Sequence, residues 1–174
     1  MNSSIRGVRA GDAVLAAALT ALGALLMVGN ITGTEEVRVD SRSWLLVPVF
    51  ASATLPILWR RRSMLAVIGV TAAALAVHVL AFGWLVRCGA GLPLAFALAY
   101  GAGRLSDRTQ ALIGLVGVIG IEFLVLVKDS AAGLGIIPVT AAAAAAAWGV
   151  GVWLRRRSAV SGVTEAPVTA DSYA

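Results

Sequence analysis

"LPLAFALAYGAGRL", residues 92 to 105, is the stretch on which the fold turns. It is apolar enough for hydrocarbon, yet it is the weakest of the long apolar runs in the chain. If it crosses a bilayer, the chain crosses six times; if it does not, every later segment inverts. Basic residues decide between the two, because Lys and Arg accumulate in the cytoplasmic loops of membrane proteins. With six crossings and a cytoplasmic N-terminus, the inner side holds ten: Arg6, Arg9, Arg60, Arg61, Arg62, Arg104, Arg108, Arg155, Arg156 and Arg157. The outer side holds four: Arg38, Arg42, Arg87 and Lys128. Without a fourth crossing the outer side would hold eight against six. The charge pattern therefore predicts six.

The flanking runs agree. Residues 13–31, 44–59, 64–86, 110–127 and 131–154 are apolar stretches separated by short charged knots, the pattern of a membrane-spanning helical bundle. The first run is read as a retained helix rather than a cleaved signal, since no small-x-small site follows it. Pro48 and Pro56 make the second run short and kinked, which neighbouring helices can accommodate. The chain is 59% hydrophobic and 13% charged, with mean hydropathy +0.89. An ordinary soluble domain is about 25% charged. The expectation is an all-α protein of the cytoplasmic membrane: residues 1–12 a cytoplasmic N-terminus, 13–157 a six-helix transmembrane domain with both ends inside, and 158–174 a disordered cytoplasmic tail.

The net charge of +5 would suggest nucleic acid in a soluble protein, but here the arginines sit at helix ends, so no nucleic acid is expected. "PILWRRRSML" (56–65) and "GVWLRRRSAV" (151–160) carry the same punctuation. Both are read as cytoplasmic stops, with Trp59 and Trp153 at headgroup depth. Arg60, Arg61, Arg62, Arg155, Arg156 and Arg157 then set topology and contact anionic lipid.

The chemistry available is narrow. There is one cysteine, Cys88, and one histidine, His78, so neither a Cys/His metal site nor a disulfide framework is expected. No phosphate-binding glycine loop and no paired carboxylates appear. No enzyme, metal or cofactor is expected. His78 and Glu122 are the ionisable side chains inside predicted spans, and intramembrane ionisable groups are functional candidates by default. Both fall in the outer half of the membrane and could meet as a polar sensing pair. The bland reading is that Glu122 snorkels outward while His78 bonds a carbonyl. Gly114, Gly117 and Gly120 form a small-residue stripe for close helix packing.

"GDAVLA" (11–16), "LPILWRRRSMLAV" (55–67), "LPLAFALAYGAGR" (92–104) and "AAWGVGVWLRRR" (146–157) are similar to the N-terminal membrane domain of actinobacterial sensor histidine kinases. Met64 stands where that family often has proline. The resemblance implies an input and anchor domain of a two-component system. Its candidate partners are membrane lipid, a second copy, a histidine kinase or a response regulator. Residues 158–174 hold no histidine, so this chain is not expected to autophosphorylate. The alternative reading is a small transporter or transporter subunit with Glu122 and His78 on a polar path.

Overall fold

A computed structural model describes residues 9–33 and 38–164, with side chains through residue 159. Among these residues the fold is helical and contains no strand, only an isolated bridge between Leu85 and Asp129. The elements are α1 (Ala10–Thr32), α2 (Leu46–Thr54) continued by a 3-10 helix (Leu55–Trp59), α3 (Met64–Phe82), α4 (Cys88–Gly103), α5 (Arg108–Leu126), and α6 (Ile137–Thr164) preceded by a 3-10 turn (Leu134–Ile136).

Four helical stretches are long and apolar enough to cross a membrane: Ala10–Thr32, Met64–Phe82, Arg108–Leu126 and Leu134–Ala159. Their outward faces are themselves apolar, with Leu25, Leu80, Val116 and Val139 exposed. Such a surface suits hydrocarbon and not water. Leu46–Trp59 and Cys88–Gly103 are shorter. At 1.5 Å per residue α4 spans roughly 24 Å, below the ~30 Å of a hydrocarbon core.

The weak fourth run has a physical explanation. α4 lies among α1, α3, α5 and α6, and Leu94, Ala95, Leu98, Ala99 and Ala102 are fully buried. A helix enclosed by protein needs small residues that let backbones approach. Gly103 of α4 and Gly151 of α6 mark the closest approach, where a Cβ on either would be driven into the facing backbone, at Trp148 and Tyr100 respectively.

Local chemistry sets the boundaries. Pro56 cannot donate to the helix ladder, and α2 tightens to 3-10 geometry around it. Ser63 caps α3 by accepting from the Ala66 N–H, and Asp107 caps α5 by accepting from Thr109. Gly83 ends α3 with φ of 66°, and a side chain there would collide with Asp40. Between helices, the Thr20 and Thr54 hydroxyls meet at 2.7 Å and Thr71 donates to the Ala53 carbonyl at 3.0 Å.

Successive helical segments run in alternate directions between two ends. At one end Asp12 meets Arg60 and Arg61, and the Trp148 indole donates to the Ala111 carbonyl; the arginine clusters gather here. At the other, Asn30, Val86, Arg87 and Lys128 meet.

Two expectations change. α6 does not stop at Arg157: its backbone is helical to Thr164, because no proline stands in residues 155–164 and the three arginines and Ala159 are good helix formers, which offsets Gly162. The expected disordered tail therefore begins in helix, and residues 165–174 lie outside the described residues. Likewise α1 starts at Ala10, inside the expected N-terminal segment, of which residues 1–8 lie outside the described residues.

Candidate functional site

The polar candidates lie towards the end opposite the arginine clusters, organised by a side chain the sequence presented only as a loop charge. Arg87 precedes α4 and is fully buried. Its Nε donates to His78 Nδ1 at 3.1 Å, Nη1 to the Lys128 carbonyl at 2.9 Å, and Nη2 to the Gly83 carbonyl. Burial pulls its pKa down to about 10, opposed by Asp129 and Asp40. Arg87 is therefore still a cation at neutral pH.

Because His78 Nδ1 accepts, its ring is neutral with the proton on Nε2. Phe50 and Phe82 pack edge-on against the imidazole, with centroids 5.6 and 5.0 Å away. Nε2 has no partner in hydrogen-bond geometry. Beside the backbone contact with Leu46 that the bland expectation allows, a buried guanidinium holds the ring.

The loop carrying Arg87 is pinned from three directions. Asp129 Oδ2 accepts from the N–H groups of Arg87 and Cys88 at 2.6 and 2.7 Å, and Oδ1 accepts from Ala131 and Ala132. A carboxylate from the α5–α6 connection thus caps α4 across the fold, where the helix dipole favours negative charge. From α1, Asn30 exchanges two hydrogen bonds with the Val86 backbone at 2.9 and 3.1 Å. From the α1–α2 loop, Asp40 accepts from the Trp84 N–H at 3.0 Å and pairs with Arg38. These donors, the Trp84 amide foremost, hold the Asp40 carboxyl below the usual carboxylate range.

Glu122 is fully buried on α5 and belongs to a separate contact. Its Oε2 accepts from Thr140 of α6 at 3.3 Å, and Oε1 has no partner. The expected His78–Glu122 pair is not formed: Arg87 takes His78, Thr140 takes Glu122. Nor does Glu122 snorkel outward, since its carboxyl faces α6. The glycine stripe is also shorter than expected. Gly114 packs against Ala102 and Ile68 and Gly117 against Ile68, while Gly120 faces open space. Six residues beyond Gly114, it has rotated about 120° off that face.

At the arginine end, Arg60 and Arg61 are more than topological markers. Both grip Asp12, a fully buried carboxylate in the first turn of α1, through Arg60 Nε at 2.7 Å and Nη2 at 2.5 Å and Arg61 Nε at 2.5 Å. An acid heading the first helix, opposite three arginines that close the hairpin, was the available signal for this contact. Arg62 is exposed. In the second cluster Arg157 stacks over Trp153 at 4.1 Å, Arg156 is exposed, and Arg155 Nη1 is buried without a hydrogen-bond partner. Trp59 and Trp153 are half-exposed. Among the described residues no group of His, Cys, Asp or Glu has the arrangement to hold a metal ion.

Compared with protein-family models, curated proteins and solved structures, the chain finds no match.

Proposed function

We propose that this chain is a six-pass protein of the cytoplasmic membrane, with its arginine end inside, that serves as a non-catalytic input and anchor module for a signalling partner. The observation that carries the reading is the course of α6. It contacts Glu122 through Thr140 near the outer end, runs unbroken past Arg155, Arg156 and Arg157, and remains helical to Thr164. At 1.5 Å per residue its 28 residues reach about 42 Å, longer than the ~30 Å hydrocarbon core. A rigid helix of that reach carries a shift at the outer polar layer to the cytoplasmic face. The resemblance to sensor-kinase membrane domains points the same way. The six-pass count draws on the alternating directions of the segments and on the ten-to-four distribution of basic residues.

The partner is tested by mild-detergent purification of the tagged full chain from its native membranes, read by mass spectrometry. A co-purifying histidine kinase or response regulator is the expected result. Recovery of the chain alone, or with transport components, contradicts it. The transporter reading draws on Glu122, whose Oε1 is buried without a partner beside Thr140. It requires substrate flux that Glu122→Gln abolishes.

A further inference from the structure

The arginine end contains a cavity of about 420 Å³ lined by Arg9, Arg60, Arg61, Tyr100, Arg104 and the apolar side chain of Met64 among others. It lies within the ~300–1,000 Å³ typical of small-ligand sites. Its charge is unbalanced. Four arginines line it, and the carboxylate beside it is Asp12, engaged by two of them, Arg60 and Arg61. Asp107, the other described carboxylate of this end, caps its own helix by accepting from the Thr109 N–H.

Asp12 fixes as well as neutralises. It takes Nε and Nη2 of Arg60 and Nε of Arg61, which leaves further N–H donors on both side chains. Arg104 is steadied by Tyr100, whose hydroxyl accepts from Nη1 at 3.1 Å. Guanidinium forks held in place by a buried carboxylate and a phenol lose little entropy on binding, and their planar geometry matches phosphate oxygens. The wall beside them is apolar, through Met64 and Leu105. Topology alone needs arginines at this end but does not need four of them to converge on one concavity from α1, the α2–α3 junction and α4.

We infer that this cavity is a phosphate-binding site, with Arg9 and Arg104 completing a cradle that the Asp12-held Arg60 and Arg61 begin. The ligand is a phosphate group at the membrane surface, carried by an anionic lipid or free in solution. The inference does not depend on a signalling partner.

The test uses the full chain and the variants Arg9→Gln and Arg104→Gln, both exposed positions that leave the Asp12 contacts intact, with Arg62→Gln as a same-end control outside the cavity. Native mass spectrometry counts retained phosphatidylglycerol against phosphatidylcholine, and thermal shift in a non-ionic detergent follows added inorganic phosphate. Each lost cavity arginine weakens lipid retention at least about tenfold, the equivalent of the ~1.5 kcal/mol lower bound for a hydrogen bond to a charged group. The Arg9→Gln/Arg104→Gln pair weakens it roughly 100-fold, whereas Arg62→Gln, which removes only the general surface attraction of one basic residue, weakens it by no more than about fivefold (~1 kcal/mol). Phosphatidylglycerol retention without a phosphate shift assigns the lipid headgroup, whereas a phosphate shift lost in the cavity variants assigns a free phosphate source. Equal loss in Arg62→Gln, or no preference for either anionic probe, overturns the site.

Discussion

The buried Arg87–His78 hydrogen bond gives the sharpest energetic prediction. Arg87→Met removes three donated bonds. The Lys128 carbonyl keeps its bond from Leu85 at 3.2 Å, but His78 Nδ1 and the Gly83 carbonyl lose their donor. Each orphaned buried acceptor costs about 1–3 kcal/mol. Against this, methionine relieves the cost of burying a guanidinium, several kcal/mol for an ion in the interior, so the single substitution is a poor gauge of the contact. The double-mutant cycle removes that term. His78→Leu takes away the acceptor, and in its background Arg87→Met no longer orphans Nδ1. A hydrogen bond to a charged group contributes about 1.5–3 kcal/mol, so the coupling should be about 2 kcal/mol. The assay is reversible unfolding of the full chain in mixed detergent, followed by tryptophan fluorescence, since Trp84 lies on the pinned loop. A coupling under ~0.5 kcal/mol, the scatter expected of independent sites, would refute the placement of Arg87 against His78.

The same assay gives two more outcomes, and hydrogen exchange gives a third. Glu122→Gln and His78→Leu should be additive within ~0.5 kcal/mol, because each residue has its own partner; coupling above 1 kcal/mol would restore the direct pair. Gly151→Ala should destabilise by about 1–3 kcal/mol through overpacking against α4, whereas Gly149→Ala, which faces open space, should be neutral or stabilising by up to ~1 kcal/mol. The depressed pKa of Asp40 makes its contribution fully present above the unfolded carboxylate value and lost as pH falls through the lower folded value. Hydrogen exchange at Trp84 should therefore quicken on acidification below about pH 4 and become pH-independent in Asp40→Asn after correction for intrinsic exchange.

Much of this architecture was legible in the sequence, for identifiable reasons. Apolar runs and arginine knots mark helices and their ends because hydrocarbon and headgroup solvation act on composition alone. The interior is less legible. Arg87 reads as an ordinary loop cation, and only the positions of His78, Gly83 and Lys128 in space make it a buried hub. His78 and Glu122 stand out as ionisable residues in apolar runs, but depth along a helix says nothing of azimuth, so their separate partners stay hidden. Gly103 and Gly151 lie 48 residues apart in the chain and form one crossing, a relation no local spacing reveals. Gly120 shares a period of three with Gly114 and Gly117, yet helical rotation carries it off their face.

The six-pass arrangement is tested most directly by thiol labelling in intact cells. Cys88 is the chain's native cysteine, and Ser158→Cys in a Cys88→Ala background reports on the opposite end. An impermeant maleimide should label Cys88 from outside and reach the cysteine at position 158 only after permeabilisation. Were α2 and α4 not to cross, both positions would lie inside, and neither would label until the cells were opened. Were α4 alone to fail, both would label from outside. Either pattern would contradict the account.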